Sequence, residues 1–165
     1  MGWLAPLNAP IHDWQGRRVW LVGASTGIGA ALAQALAARG ARVAVSARSH
    51  ERLEALAASC GPAMLVEPMD VTRPDDFGRV RDRLVDVWGG IDLVVLNAGT
   101  YRPLRAWELQ PEAIRDTLDT NLFGTMAGAA AVIPLLLEQG SGAIALVGSV
   151  AGYGGLPKAT VYGPS

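Results

Sequence analysis

Val19-Trp20-Leu21-Val22-Gly23-Ala24-Ser25-Thr26-Gly27-Ile28-Gly29 is the stretch that decides how this chain is read. An apolar run of strand-forming residues ends in a turn with three glycines. An alanine-rich helical pattern follows at once. That is the layout of a dinucleotide-phosphate site. Gly23 permits a tight turn, Gly27 lets the backbone approach a pyrophosphate, and Gly29 lets the helix pack close to the strand. The N-terminus of the helix then supplies free N–H donors for an anion. No Gly-Lys-Ser/Thr closes the turn, so it is not a Walker-type phosphate loop.

The rest of the composition narrows the class. A chain of 165 residues suggests one domain with room for a substantial core. A formal charge of -1 gives no electrostatic footprint for nucleic acid. Lys158 is the only lysine among the 14 cations. The single cysteine, Cys60, excludes an internal disulfide and fits a reducing compartment. Two distant histidines and one cysteine give no metal-ligand cluster. No secretory signal is visible. The most apolar stretch, 124–137, contains Pro134 and is shorter than the roughly 20 residues a membrane span needs. These features predict a soluble, cytoplasmic protein with no membrane or nucleic-acid partner.

Outward from the glycine turn, strands and helices alternate. Residues 1–16 read as an irregular leader, packed down by Trp3 and Trp14, and 17–165 as the folded domain. The first strand covers 18–22. The helix after it places Ile28, Leu32, Ala35 and Leu36 on its inner face and ends at Gly40. A second strand covers 41–47, and Ser49 caps a helix that Gly61-Pro62 stops. A third strand covers 63–67. Thr72 then caps a helix, with Asp75 reaching back. Phe77, Val80, Leu84, Val87 and Trp88 form its apolar stripe. The fourth strand, 91–96, is apolar throughout and so buried on both faces. A long helix starts at Pro111, with Ile114, Leu118, Leu122, Thr125, Ala129 and Ile133 along its inner side and a bend at Pro134. The fifth strand covers 143–148, and a glycine-rich loop leads to Tyr162. Such alternation predicts a doubly wound parallel sheet, an α/β fold of Rossmann type, ending after the fifth strand. Ligands then bind beyond the carboxyl ends of the strands, at 23–29, 47–49, 70–71, 97–99 and 148–150.

These positions carry a resemblance. Gly23-Ala24-Ser25-Thr26-Gly27-Ile28-Gly29 resembles the GxxxGxG turn of the short-chain dehydrogenases/reductases. Asp70-Val71 is similar to the family's adenine-contacting pair, and Asn97-Ala98-Gly99 to its Asn-Ala-Gly signature. Asn121 stands where the family has its helix asparagine, and Ser149 where it has its catalytic serine. Tyr162 follows at the family's interval and opens Tyr-x-x-Ser. The resemblance implies an oxidoreductase that moves hydride between a nicotinamide and a small-molecule alcohol or carbonyl. It implies cofactor contacts at Gly23, Ser25, Thr26, Gly27, Ile28, Gly29, Arg48, Asp70, Val71, Asn97, Ala98 and Gly99. The implied catalytic residues are Asn121, Ser149 and Tyr162, with Asn121 holding a relay water. A homo-oligomer is implied for the full-length protein.

Residue chemistry runs parallel to the resemblance. Hydride transfer to a carbonyl builds alkoxide charge that must be protonated. A phenol can do this near neutral pH only with a cation beside it, since tyrosine's ordinary pKa is about 10. A serine hydroxyl can donate to the developing oxyanion. Asn97 can tie strand ends together. Ala47 stands where an acid would bind the ribose 2′-hydroxyl of NAD, and Arg48 could pair with the 2′-phosphate of NADP. The expected cofactor is therefore NADP(H) rather than NAD(H).

Three departures stand out. Val22 replaces a threonine of the family pattern, and Leu96 replaces the first asparagine of Asn-Asn-Ala-Gly. The family's lysine would follow Tyr-x-x-Ser, but the sequence stops at Ser165, and Lys158 lies on the wrong side of Tyr162. The 165 residues alone are accordingly expected to lack turnover, and the apolar fifth strand to be an aggregation-prone edge. The alternatives are a non-catalytic dinucleotide-binding or interaction module, and the nucleotide-sugar epimerase branch, whose GxxGxxG spacing differs.

Overall fold

The first strand, β1 (Arg18–Val22), sorts its side chains alternately onto two cores. Val19 and Leu21 pack with Val43, Val45, Ala33, Leu36 and Leu53. Trp20 and Val22 pack with Phe77, Val80, Leu84, Val94 and Val132 on the opposite face. The computed structural model describes residues 10–62 and 64–165. The readings at Trp3 and Ala63 lie outside those residues, whereas Trp14 packs against the first core as expected.

The elements follow the anticipated order. After β1 come α1 (Gly27–Ala37), β2 (Arg42–Ser46), α2 (His50–Cys60), β3 (Met64–Val66), α3 (Pro74–Trp88) and β4 (Leu93–Leu96). Then come α4 (Pro111–Leu118), a π-helical turn (Asp119–Phe123), α5 (Gly124–Gln139) and β5 (Ala143–Leu146). All pairings are parallel, in the order β3-β2-β1-β4-β5. The chain winds outward from β1 in one direction and then crosses back to β4 to wind the other way. Helices α1 and α2 cover one face, and α3 and α5 the other. This is the doubly wound α/β sandwich that the alternation predicts. Burial on both faces explains why β1 and β4 are continuous apolar runs. The polar groups this forces inside pair with each other: the indole N–H of buried Trp20 donates to the Oγ of buried Ser46 at 2.9 Å.

Several local expectations need correction, the mildest at α2, where Ser49 holds the cap position but its side chain makes no capping bond. In α1 the buried residues are Gly29, Ala33 and Leu36, so the inner face is rotated and Ile28 points outward. At α3, Arg73 occupies the cap position, because the Thr72 hydroxyl donates instead to Asp70 Oδ1 at 2.9 Å. The acid that reaches back is Asp76, not Asp75: its Oδ2 accepts from the Asp70 N–H at 2.9 Å. The long helix is also rotated, burying Ala113, Thr117, Gly124, Gly128 and Val132. A Cβ at Gly124 would meet Val71, and one at Gly128 would meet Phe77 and Leu96. The helix thus docks through small residues, and Leu122 and Ile133 face outward. The stretch Pro111–Gln139 is one helix of 29 residues, long and apolar enough by composition to span a membrane. Here it is a covering layer of the sheet.

One ion pair joins the strands at the bottom of the sheet. Arg18 grips Asp92 through Nη2 to Oδ1 at 2.6 Å and Nε to Oδ2 at 3.1 Å. Its backbone N–H also donates to Oδ2, at 2.8 Å. The Arg18 side-chain bonds hold the Asp92 carboxyl below the usual carboxylate range, against the opposing effect of burial. A folded-state pKa below the unfolded one stabilises at neutral pH, and that stability is lost as pH falls through the folded value. Asp92→Asn should therefore cost about 1–3 kcal/mol at pH 7 in urea denaturation. The difference from the parent should shrink once pH drops below about 4. A difference that stays constant to pH 3 would contradict this role.

Candidate active site

The glycine turn is wedged between the ends of β1, β2 and β4. The Gly23 N–H donates to Ser46 O at 2.7 Å, and Ala24 N–H to the same carbonyl at 3.2 Å. Gly23 has φ of 91°, and a Cβ there would run into the backbone of Ala98. At Gly29 a Cβ would strike the Gly23 carbonyl and come within 2.7 Å of Asn97 Nδ2. Asn97 Nδ2 itself donates to Gly23 O at 2.8 Å. Asn97 therefore ties the ends of β1 and β4 together, the structural duty its position suggested. Gly27 differs from the other two. Its φ of 58° is left-handed, but a Cβ there would meet nothing within 4 Å. The turn is open at Gly27 and closed beneath it. The N–H groups of Ile28 and Gly29, at the start of α1, have no protein acceptor among the described residues.

A cleft of about 580 Å³ opens over this turn, along the carboxyl ends of the strands. Gly23, Ser25 and Thr26 line it from β1, Arg48 from β2, Asp70 and Val71 from β3, and Asn97, Ala98 and Gly99 from β4. Asp70 is held by Thr72, whose N–H and hydroxyl both donate to Oδ1. Arg52, four residues after Arg48 on α2, lines the same end and was not singled out from the sequence. Neither arginine has an ion-pair partner among the described residues.

A second cleft of about 280 Å³ continues from the first, sharing Asn97, Ala98 and Gly99. Ile28, Asn121, Ser149 and Tyr162 line it. The outward turn of Ile28 thus brings it to the cleft rather than the core. Asn121 does not continue a regular α-helix. It lies instead in the π-helical turn, half-buried, with its amide aimed at the β4 loop. Its Oδ1 accepts from Thr100 N–H at 2.7 Å, and its Nδ2 donates to Thr100 O at 3.0 Å and to Ser165 Oγ at 2.9 Å. The Thr125 hydroxyl donates to the Asn121 carbonyl at 2.7 Å. Such turns recur at functional sites. Ser149 Oγ accepts from Ala151 N–H at 3.2 Å, which leaves its own proton free to donate. Lys158 is exposed and does not line this cleft.

The structure brings together nearly every residue the sequence singled out. Gly27 and Gly29 shape the turn without lining either cleft. What the sequence did not reveal is Tyr101, on the loop after β4. Its ring centroid lies 4.9 Å from that of Tyr162. Periodicity cannot locate a loop aromatic, so this contact had no sequence signal. Among the described residues no group of acids, histidines and cysteine could hold a metal.

Comparison with known proteins agrees with the fold. Residues 17–165 match the family described as short chain dehydrogenase. An oxidoreductase of Myxococcus xanthus is 39% identical over 153 residues, covering 90% of this chain and 60% of that protein. One of Listeria innocua is 37% identical, covering 87% and 59%. Among solved structures, serine dehydrogenase from Escherichia coli superposes with TM-score 0.84 at 28% identity, covering 88% of this chain and 68% of that one. A short-chain type dehydrogenase/reductase from Mycobacterium marinum gives 0.82 at 35%, covering 87% and 60%. The chain thus spans about three fifths of the curated relatives it matches.

The glycines separate binding from folding. Gly27→Val points a side chain into open space and adds left-handed strain of about 1–2 kcal/mol. It should keep a native far-UV spectrum and lose dinucleotide binding. Gly23→Val collides with Ala98 and should lower the melting temperature outright. Micromolar cofactor affinity retained in Gly27→Val would contradict the assignment of this turn.

Proposed function

This chain belongs to the short chain dehydrogenase family, and from that premise we propose that it holds the dinucleotide and the acid/base pair of an NADP(H)-dependent oxidoreductase. The substrate is a small alcohol or carbonyl compound. The observation that carries this reading is the joining of two clefts at Asn97, Ala98 and Gly99: one over an open glycine turn, the other lined by Ser149 and Tyr162.

The residues present fit the cofactor. The open turn at Gly27 admits a pyrophosphate to the backbone, and the Ile28 and Gly29 N–H groups can donate to it. Asp70 and Val71 take the adenine end, and Arg48 takes a 2′-phosphate, with Arg52 adding a second positive charge. Nicotinamide supplies or accepts the hydride when bound. Tyr162 gives its phenolic proton to the carbonyl oxygen during reduction and takes it back during oxidation. Ser149 donates its uncommitted hydroxyl proton to the same oxygen, holding the carbonyl and stabilising its developing charge. Asn121 keeps the β4 loop and the Tyr162 turn in place, and its main-chain carbonyl retains a lone pair for a relay water beside the Thr125 hydroxyl. Leu122, Phe123, Met126, Ile133 and Leu137 are exposed on the long helix and support a homo-oligomer. The family's usual setting supports a soluble, cytoplasmic enzyme.

Two substitutions in the full-length protein test the reading. Arg48→Ala should weaken NADP(H) about 10- to 100-fold, the worth of a charge-assisted bond, and change NAD(H) less than about twofold. Equal affinity of the parent for both cofactors would refute the preference. Tyr162→Phe should lower kcat about 10²- to 10⁴-fold while NADP(H) still binds. Retained turnover would remove Tyr162 from the chemistry.

A further inference from the structure

The loop that carries Tyr101 is pinned on both sides to the segment that carries Tyr162. Upstream, Asn121 takes both the N–H and the carbonyl of Thr100, at 2.7 and 3.0 Å. Asn121 also donates to Ser165 Oγ at 2.9 Å, and the Ser165 hydroxyl donates to Tyr162 O at 2.9 Å. Downstream, Leu104 N–H donates to Lys158 O at 2.8 Å, and the Thr160 hydroxyl donates to Leu104 O at 2.8 Å. Leu104 and Ala159 pair as a parallel bridge. Tyr101 is therefore held in place although its side chain is largely open to solvent.

Its ring meets the Tyr162 ring at a centroid distance of 4.9 Å and an interplanar angle of 56°. Tilted pairs at such distances are favourable, and they leave ring surface available to a third partner. Tyr101 remains 52% exposed and lines the same cleft as Ser149 and Tyr162. Ile28 presents apolar surface to that cleft at 69% exposure. With the nicotinamide in its part of this cleft, the Tyr101 ring is the aromatic wall left for the substrate, and such a wall favours a flat apolar substituent on the carbonyl over an extended or highly polar one.

We propose that Tyr101 is a specificity-determining residue: its ring, fixed against Tyr162, forms the wall on which a flat apolar substituent of the substrate rests, so that the site selects aryl carbonyl compounds over small aliphatic ones. This rests on the oxidoreductase reading above. The phenol oxygen of Tyr101 has no part in it, so phenylalanine substitutes for it.

The test compares acetophenone with acetone in the full-length protein with NADP(H), for the parent, Tyr101→Phe and Tyr101→Ala. Tyr101→Ala should lose about tenfold in kcat/KM for acetophenone, mostly through KM, and less than threefold for acetone. Tyr101→Phe should match the parent on both. Equal losses on the two ketones, or none, would overturn the proposal. Calorimetric binding of acetophenone to the protein loaded with oxidised NADP, which has no hydride to give, decides the same question without turnover. Binding should weaken about tenfold in Tyr101→Ala and hold in Tyr101→Phe, and unchanged binding in Tyr101→Ala would overturn the proposal. Turnover retained by Tyr162→Phe would instead refute the catalytic reading, and the calorimetry would still decide the role of Tyr101.

Discussion

The structure depends on how closely the Gly23–Gly29 turn approaches the end of β4. No side chain fits between Gly23 and the Ala98 backbone, nor between Gly29 and the Gly23 carbonyl. Asn97 closes the contact by donating to that carbonyl. β1 and β4 are where the winding direction reverses, so their ends flank the natural crevice of the sheet. Packing the turn into the base of this crevice leaves Gly27 and the start of α1 facing upward. The same compression that closes the core therefore opens the site.

A second constraint acts at the far end of the cleft. The long helix docks through Gly124 and Gly128, whose missing side chains admit Val71, Phe77 and Leu96. Just before this contact the helix widens into a π-helical turn, which swings Asn121 off the regular face. Its amide then spends both N–H donors on Thr100 and Ser165, and its oxygen accepts from the β4 loop. Loops are the mobile parts of such folds, and this one is fastened on both sides of Tyr101. Rigidity beside Tyr162 thus comes from hydrogen bonds, whereas at the glycine turn it comes from close packing.

The sheet was legible because its strands obey simple rules. β1 and β4 are apolar on both faces, and each is followed by a turn or a helix break. The residues proposed for the cofactor share one cleft because they sit at strand ends, which the topology gathers. The helices were harder. On α1 and α5 the buried stripe consists of glycine and alanine, with one larger residue each, while larger apolar residues face outward. Reading the largest apolar residues as the inner face therefore rotated both helices and hid Ile28 in the core. Thr72 looked like a helix cap because the pattern is local, but a nearer acceptor, Asp70, competes for its hydroxyl. The π-helical turn has no periodic signature. The Tyr101–Tyr162 pair is a contact between two loops about sixty residues apart, which only the folded chain creates.

In the proposed reading, one continuous cleft holds a dinucleotide from Arg48 to Tyr162. A crystal structure of the full-length protein with NADP(H) tests it most directly. The account predicts a pyrophosphate on the N–H groups around Gly27, a 2′-phosphate at Arg48, and a nicotinamide beside Ile28, Ser149 and Tyr162. A cofactor bound away from the glycine turn, or one whose nicotinamide points away from Ser149 and Tyr162, would contradict it.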